Sequence, residues 1–310
     1  MLHSYSVIDG RISRESGGVL PIDVYANPDE QERRHLIDDL LIDEHTLLSS
    51  IDPDETPRIE FEETHTAIIL KYPKTYSADD NFLFRVKSMG IFMFSDRVVV
   101  IVDDNVQFFS PIKAAYAINT PQDVVLRALH QTIRHFESHL RVINMCSDEI
   151  ETELNKSGDN RSVQNMFTLA KGLVYYVNAL NGNSRVIERM RVSSGKIGFT
   201  VDNSELLEDL AIENHQFLDQ AQVYSQVLSG LMDARMAFIN NNLNVMMKNM
   251  NAIVIAVSIP TFFTGVFGMS ELTTFTGGES RWLITYPLFV LLMTAIGCFA
   301  FFLIKRFEKR

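Results

Sequence analysis

Asn244, Met247, Asn251, Val254, Ser258, Thr261 and Gly265 recur at steps of three and four residues. That spacing places them on one face of a helix. Four of the seven are polar and none is charged, whereas positions off the stripe, such as Ile253, Val257, Phe262 and Phe263, are apolar. Amides and hydroxyls in this register suit contact with the water shell of an ion, with apolar rings between them able to dewet. The same stripe suits a helix-packing face, because small and polar residues also join spans to each other in lipid. Elsewhere, His135 and His139 lie four apart with His130 nearby. That spacing can hold zinc. Glu137 stands two residues after His135, so the zincin pattern is absent, and the trio reads as a solvated amphipathic face. Lone Cys146 reads as a small buried hydrophobe. No phosphate loop or catalytic triad is present, and the chain reads as a non-enzyme.

The stripe lies in the first of two uncharged runs. Residues 249–270 give 22 positions between Lys248 and Glu271, and residues 282–304 give 23 between Arg281 and Lys305. A spanning helix needs about 20 mainly apolar residues. A polar stripe on such a helix must face protein or water, since lipid cannot satisfy it. Two spans do not enclose a pore, but several copies around an axis do. The 11 residues between the runs suit a tight external loop, and Lys305, Arg306, Lys309 and Arg310 follow the second run. Basic flanks stay inside, so both termini are expected in the cytoplasm and the chain in the cytoplasmic membrane. The expected division is a cytoplasmic α/β domain over 1–118, a helical domain and stalk over 119–245, and a transmembrane domain over 246–310. The last comprises spans at about 249–269 and 282–304, an outer loop at 270–281 and a basic tail at 305–310.

Charge separates the same parts. Up to Val245 the chain holds 22 Lys+Arg against 36 Asp+Glu; from Met246 onward it holds 6 against 3. An acidic soluble part argues against nucleic acid as a partner. Two cysteines are too few for a disulfide framework.

The soluble part reads as α+β. Asp9-Gly10 is a turn between short strands. Asn27 is the expected N-cap of a helix, with Pro28 at its first position and a run through Ile37 to Leu41. A short helix at about 43–50 stops before Asp52-Pro53. Residues 58–62, 66–72 and 98–102 read as strands. From Thr120 the period is helical: one helix reaches about Leu154, a second spans about 162–191, and a third begins near Asp202-Asn203-Ser204 with Glu205 as capping partner. The third meets no proline until Pro260 and continues into the first span for about 65 residues.

That long helix ends in Gly265-Val266-Phe267-Gly268-Met269-Ser270. With the two terminal runs, the short loop and the basic tail, this resembles the CorA family of divalent-cation channels, which carries Gly-Met-Asn here. Residues 27–30, 52–60, 230–233 and 244–248 resemble that family's N-terminal domain and stalk. The resemblance implies a homopentameric funnel: an α+β cytoplasmic domain, long stalk helices and two C-terminal transmembrane helices embedded in membrane lipid. It implies Gly268, Met269 and Ser270 as the filter. Asn244, Met247, Met250, Asn251, Val254, Ser258, Thr261 and Gly265 become pore positions, with Met247 and Met250 at the hydrophobic gate. Asp209 matches a carboxylate that helps bind regulatory metal between subunits. Glu271 and Glu279 would attract cations to the outer mouth. The transported ions implied are divalent cations, magnesium and also cobalt, nickel or zinc, with no resident cofactor. Two departures stand out. Ser270 offers one short hydroxyl where asparagine offers an amide, and Leu48-Ser49-Ser50-Ile51 stands where the family commonly has an acidic pair. Alternative readings are a zinc or transition-metal transporter of the same fold, and a conduction-poor membrane scaffold or regulator.

Overall fold

The computed structural model describes residues 1–14, 18, 20–77, 80–103, 109, 117–157, 160–267 and 282–308. It divides into two compact units, Met1–Met232 and Asp233–Arg310.

The first unit is built on a seven-stranded sheet: β1 (Leu2–Ile8), β2 (Arg11–Ser13), β3 (Pro21–Ala26), β4 (Arg58–Phe61), β5 (Thr66–Pro73), β6 (Val86–Met93) and β7 (Val98–Val102). The spatial order is β2-β1-β3-β7-β6-β5-β4. Only β3 and β7 run parallel, with Val24 opposite Val100. Asp9 and Gly10 both take positive φ, 50° and 72°, as the expected two-residue hairpin between β1 and β2 requires. β3 and β6 lack a clear strand signal because Asp23 interrupts the first and Lys87, Ser88 and Gly90 the second. β5 and β7, buried on both faces, are legible as continuous apolar, β-branched runs. In β7, Val98, Val100 and Val102 enter one core while Val99 and Ile101 enter another.

The smaller core is closed by α1 (Glu30–Arg34), a π-helical turn (His35–Asp39) and α2 (Glu44–Ser49), through Leu36, Ile42 and Leu47. The N-cap of α1 is Asp29, not Asn27. Its side chain accepts from the Gln31 and Glu32 amides while Glu32 returns to the Asp29 amide. Asn27 instead sits at φ 46°, where it turns the chain out of β3. α2 begins after Asp43, as expected.

The larger core is closed by α3 (Pro121–Ser157), α4 (Asn160–Val192) and the first part of α6 (Val201–Phe267), with the short α5 (Ser194–Ile197) between the last two. Val125, Leu129, Ile133, Phe136 and Leu140 supply the buried stripe of α3. Asn183 on α4 is fully buried and clamps β5. Its Oδ1 accepts from the Lys71 amide at 2.9 Å and its Nδ2 donates to the Lys71 carbonyl at 2.8 Å. β4 pairs with β5 only as far as Ile69, so the amide side chain continues the sheet edge where the neighbouring strand has ended.

The cap of α6 differs from expectation. Thr200 Oγ1 accepts from the Asn203 amide at 3.2 Å and Asn203 Oδ1 accepts from the Thr200 amide at 3.1 Å. Ser204 donates its hydroxyl to the Thr200 carbonyl at 2.9 Å, and the residue that returns to the Thr200 amide is Asn203, where Glu205 is the expected partner. Asn203 Nδ2 also donates to Asp123 Oδ1 at 2.7 Å, and Asp123 caps α3 by accepting from the Thr120 amide. The N-termini of the two helices are thereby tied together.

In the second unit, α6 runs without interruption through Pro260 to Phe267, as the absence of earlier breakers predicted, and α7 (Trp282–Glu308) follows. Both contain segments long and apolar enough to cross a membrane, and little of either segment is buried.

Candidate functional site

The stripe on α6 is unpartnered. Asn244, Met247, Met250, Asn251, Val254, Ser258, Thr261 and Gly265 are all exposed. A helix core-facing in a soluble fold would bury one such face; this one leaves both its greasy and its polar sides open. Ser258 Oγ donates to the Val254 carbonyl and Thr261 Oγ1 to the Val257 carbonyl, each at 2.7 Å. Their protons therefore serve the helix, and their lone pairs are what remains for an occupant. Such oxygens match the outward-pointing protons of a hydrated cation. Thr261 stands at the border of the stripe, since it also lines the groove between α6 and α7.

Pro260 removes the amide that would bond the Ala256 carbonyl. α7 covers that place with Gly297. A Cβ there would lie 3.1 Å from the Ala256 carbonyl oxygen and 3.2 Å from Pro260 Cγ. Gly297 is a feature that sequence reading passed over. Its signal was a glycine in an otherwise apolar span, which permits close backbone approach.

Gly268, Met269, Ser270, Glu271 and Glu279, the expected filter and outer-loop residues, lie outside the described residues. Asp209 lies on the exposed side of α6 in the first unit.

The segment 48–60 forms a network that the sequence did not announce. Arg58 Nη1 meets Glu55 Oε1 at 2.8 Å, its Nε meets Glu60 Oε1 at 2.6 Å, and its Nη2 donates to Ser49 Oγ at 3.2 Å. Ser49 in turn donates to Glu55 Oε2 at 2.9 Å. Burial acts to raise the Glu55 carboxyl, but the Ser49 hydroxyl, the Thr56 amide and Arg58 outweigh it and hold the group below its ordinary value. Ser50 is fully buried, bonds the Thr46 carbonyl at 2.9 Å, and lies against Gly90, where a Cβ would come within 2.0 Å of Ser50 Oγ. Beneath the same turn, buried Lys71 Nζ donates to Ser88 Oγ at 2.8 Å and to the Pro53 carbonyl, and burial lowers its pKa. The Arg58 guanidinium thus reaches Ser49, whereas the Lys71 ammonium is taken up by Ser88 and the Pro53 carbonyl.

The histidines of α3 are not a solvated face. His139 is buried, with Nδ1 2.7 Å from the Tyr176 hydroxyl, and His135 stacks edge-on against it at 4.5 Å. Burial, reinforced by His135, pushes His139 down to about 4, and burial also lowers His135 and His130. The amphipathic period was right, but the apolar stripe is wide enough to include position 139. Cys146 is half-buried against the larger core, where burial raises its thiol. No group of three metal-ligating side chains occurs among the described residues.

An α/β unit followed by two sparsely covered apolar helices, one bearing an open amide and hydroxyl stripe, defines a two-span membrane protein with a large soluble part. Residues 23–306 match the family described as CorA-like Mg2+ transporter protein, and the chain belongs to that family. It is 26% identical over 298 residues to a cobalt/magnesium transport protein CorA of Methanocaldococcus jannaschii, covering 93% of this chain and 92% of the relative. A cobalt/magnesium transport protein CorA of Thermotoga maritima is 21% identical over 268 residues, 83% of this chain and 72% of its own length. The complete structure of the CorA magnesium transporter from Methanocaldococcus jannaschii superposes with a TM-score of 0.76 at 21% identity, covering all of this chain and 98% of that one. That last likeness establishes the shared fold.

Proposed function

We propose that the chain is the subunit of a homopentameric channel that passes divalent cations, magnesium or cobalt, across the cytoplasmic membrane with both termini inside. The open polar stripe on α6 carries this reading. In a lipid-spanning helix, amides and hydroxyls need protein or water opposite them. A ring of copies supplies both. The names of the two relatives, cobalt/magnesium transport proteins, support the choice of ions.

In this reading Gly268, Met269 and Ser270 form the outer filter. Magnesium dehydrates reluctantly, so the filter holds it through its water shell. A ring of serine hydroxyls reaches less far than amides would, and selectivity between magnesium and cobalt or nickel should relax accordingly. Asn244 and Asn251 hydrate the inner path, and Met247 and Met250 form the constriction that dewets when closed. Asp209 contributes to a regulatory metal between subunits, and Glu271 and Glu279 raise cation concentration at the mouth. The Ser49 and Ser50 positions favour weak regulation by intracellular metal, because neither carries a carboxylate and Arg58 already places positive charge at Ser49.

Ion flux into liposomes holding only the purified protein tests the proposal, with magnesium, cobalt, nickel and zinc offered separately. Magnesium or cobalt flux that Gly268→Ala reduces at least tenfold is expected. Flux restricted to zinc would replace the ion assignment. An intact oligomer that passes no ion would replace the channel by a membrane scaffold or regulator. Ser270→Asn is expected to sharpen magnesium preference without creating flux anew.

A further inference from the structure

We propose that the groove between α6 and α7 holds the acyl chain of an anionic phospholipid whose phosphate is gripped by Lys248, Lys305 and Arg306. The groove has a volume of about 790 Å³ and its walls include Ile253, Val257, Pro260, Met293, Phe301 and Phe302. On α6 it extends from Ile253 to Thr264, or about 16 Å at the helical rise. That is about half of a hydrocarbon core roughly 30 Å thick, the depth of one leaflet. Its threonines ask little of an occupant. Thr261 donates to the Val257 carbonyl at 2.7 Å, Thr264 to the Thr261 carbonyl at 2.9 Å, and Thr294 to the Val290 carbonyl at 2.8 Å. With those protons bonded to their own helices, hydrocarbon can fill the groove without leaving donors unmet.

The charge lies at one end. The two spans are in close contact where Gly297 faces Ala256 and Pro260. Consecutive spans of one bilayer run antiparallel, so eight residues before Ala256 and eight residues after Gly297 reach the same depth. Those positions are Lys248 and Lys305, each about 12 Å along its axis from the crossing, and Arg306 is next to the second. All three are exposed, and none forms a salt bridge among the described residues. Lys305 Nζ lies 5.3 Å over the Phe301 ring, so the side chain follows the end of the groove and its charge has an aromatic face but no carboxylate beside it among the described residues. An apolar slot ending in unpaired cations is complementary to one kind of molecule: a lipid tail joined to a negatively charged head. Basic clusters at the cytoplasmic ends of spans attract such lipids on the order of fivefold per charge engaged.

The test uses the full-length protein in vesicles of phosphatidylcholine, doped with a phosphatidylglycerol or a phosphatidylcholine carrying a photoreactive group on its acyl chain. Adducts are mapped by peptide mass spectrometry. We expect phosphatidylglycerol adducts concentrated on groove residues between Ile253 and Phe302, at about fivefold or more over phosphatidylcholine. Lys305→Gln with Arg306→Gln should cut the preference at least fivefold, and adding Lys248→Gln should bring the two lipids to equal yield, whereas the charge-keeping pair Lys305→Arg with Arg306→Lys should leave the preference in place. Val257→Trp, which fills the groove, should remove the groove adducts while adducts at the outward Leu291 and Phe299 persist. Equal labelling by the two lipids in the unmodified protein would overturn the proposal. So would adducts confined to outward positions, or a groove free of lipid in which Cys298 cross-links to a second copy of the chain.

Discussion

Ser49 and Ser50 are adjacent and chemically identical, yet the fold gives them different latitude. Ser50 sits fully buried against Gly90 with its hydroxyl on the Thr46 carbonyl. An aspartate there would put a carboxylate in a space without a cation or spare donor. Ser50→Asp is expected to lower stability by about 3 kcal/mol, read from denaturant or thermal unfolding of the full chain in detergent. Ser49 is buried too, but its hydroxyl lies against Arg58, so Ser49→Asp gains a guanidinium partner and is expected to cost clearly less than Ser50→Asp. Equal effects from the two would mean that Arg58 does not compensate the buried carboxylate. His139 makes a pH prediction at the same scale. Its folded pKa, about 4, lies below the ordinary 6.5. Between those values the unfolded chain binds the extra proton, so the contribution is whole above pH 6.5 and is lost as pH falls towards 4. Over that window stability should drop by about 3 kcal/mol from this residue. His139→Phe, which keeps the aromatic packing against Tyr176 and Phe84, should flatten the curve of unfolding free energy against pH. An unchanged slope would remove His139 as its source.

At the scale of elements, the first unit depends on how helix ends and sheet edges are finished. Asp123 accepts at the start of α3 and receives Asn203 from the start of α6. Each cap alone is worth about 1 kcal/mol. Because the two share a hydrogen bond, Asp123→Ala and Asn203→Ala should not add. We expect about 1 to 2 kcal/mol for each single change and clearly less than their sum for the double, from thermal unfolding of the four variants. Strict additivity would show that the caps act independently. Asn183 plays a comparable part at the sheet edge. The two parts of α6 have opposite characters: Leu207, Leu210 and Ala221 are buried in the first unit, whereas from Asn240 to Asn251 most side chains are exposed. One continuous helix is therefore held at its start by core packing and left open where partners are needed.

At the scale of the molecule, both hydrophobic cores lie between Tyr5 and Leu228. Burial of this extent, in a unit of 232 residues, is what an autonomous domain requires. Residues 1–232 expressed alone are expected to be soluble and to unfold in one cooperative transition with mixed helix and strand circular dichroism. Aggregation, or helix content without a cooperative transition, would show that the sheet unit depends on the rest of the chain. The second unit has the reverse character. Its helices bury little of themselves and leave extensive apolar surface exposed, more than a soluble monomer carries.

The sequence by itself determined the elements whose signals are local. Runs without charge, the three- and four-residue period of α3, α4 and α6, the Asp9-Gly10 hairpin and the stripe from Asn244 to Gly265 are read from neighbours along the chain, because helical period, turn chemistry and span length are local quantities. The resemblance at Gly268-Met269-Ser270 added the family, which the match over residues 23–306 bears out. Tertiary structure decided what depends on residues far apart. β3 and β6 become strands through pairing with β1, β5 and β7, which nothing within eight residues of either records. Asp29 displaced Asn27 as a cap because the chain leaves β3 through a positive φ at Asn27. His139 became a core residue because Tyr176, 37 positions later, arrives beside it. Arg58 of β4 meets Ser49 of α2 only after those two elements are in place. The cap at Asp29 is the exception, a box closed within three residues; in the other cases the deciding contact crosses a loop whose closure no local pattern encodes.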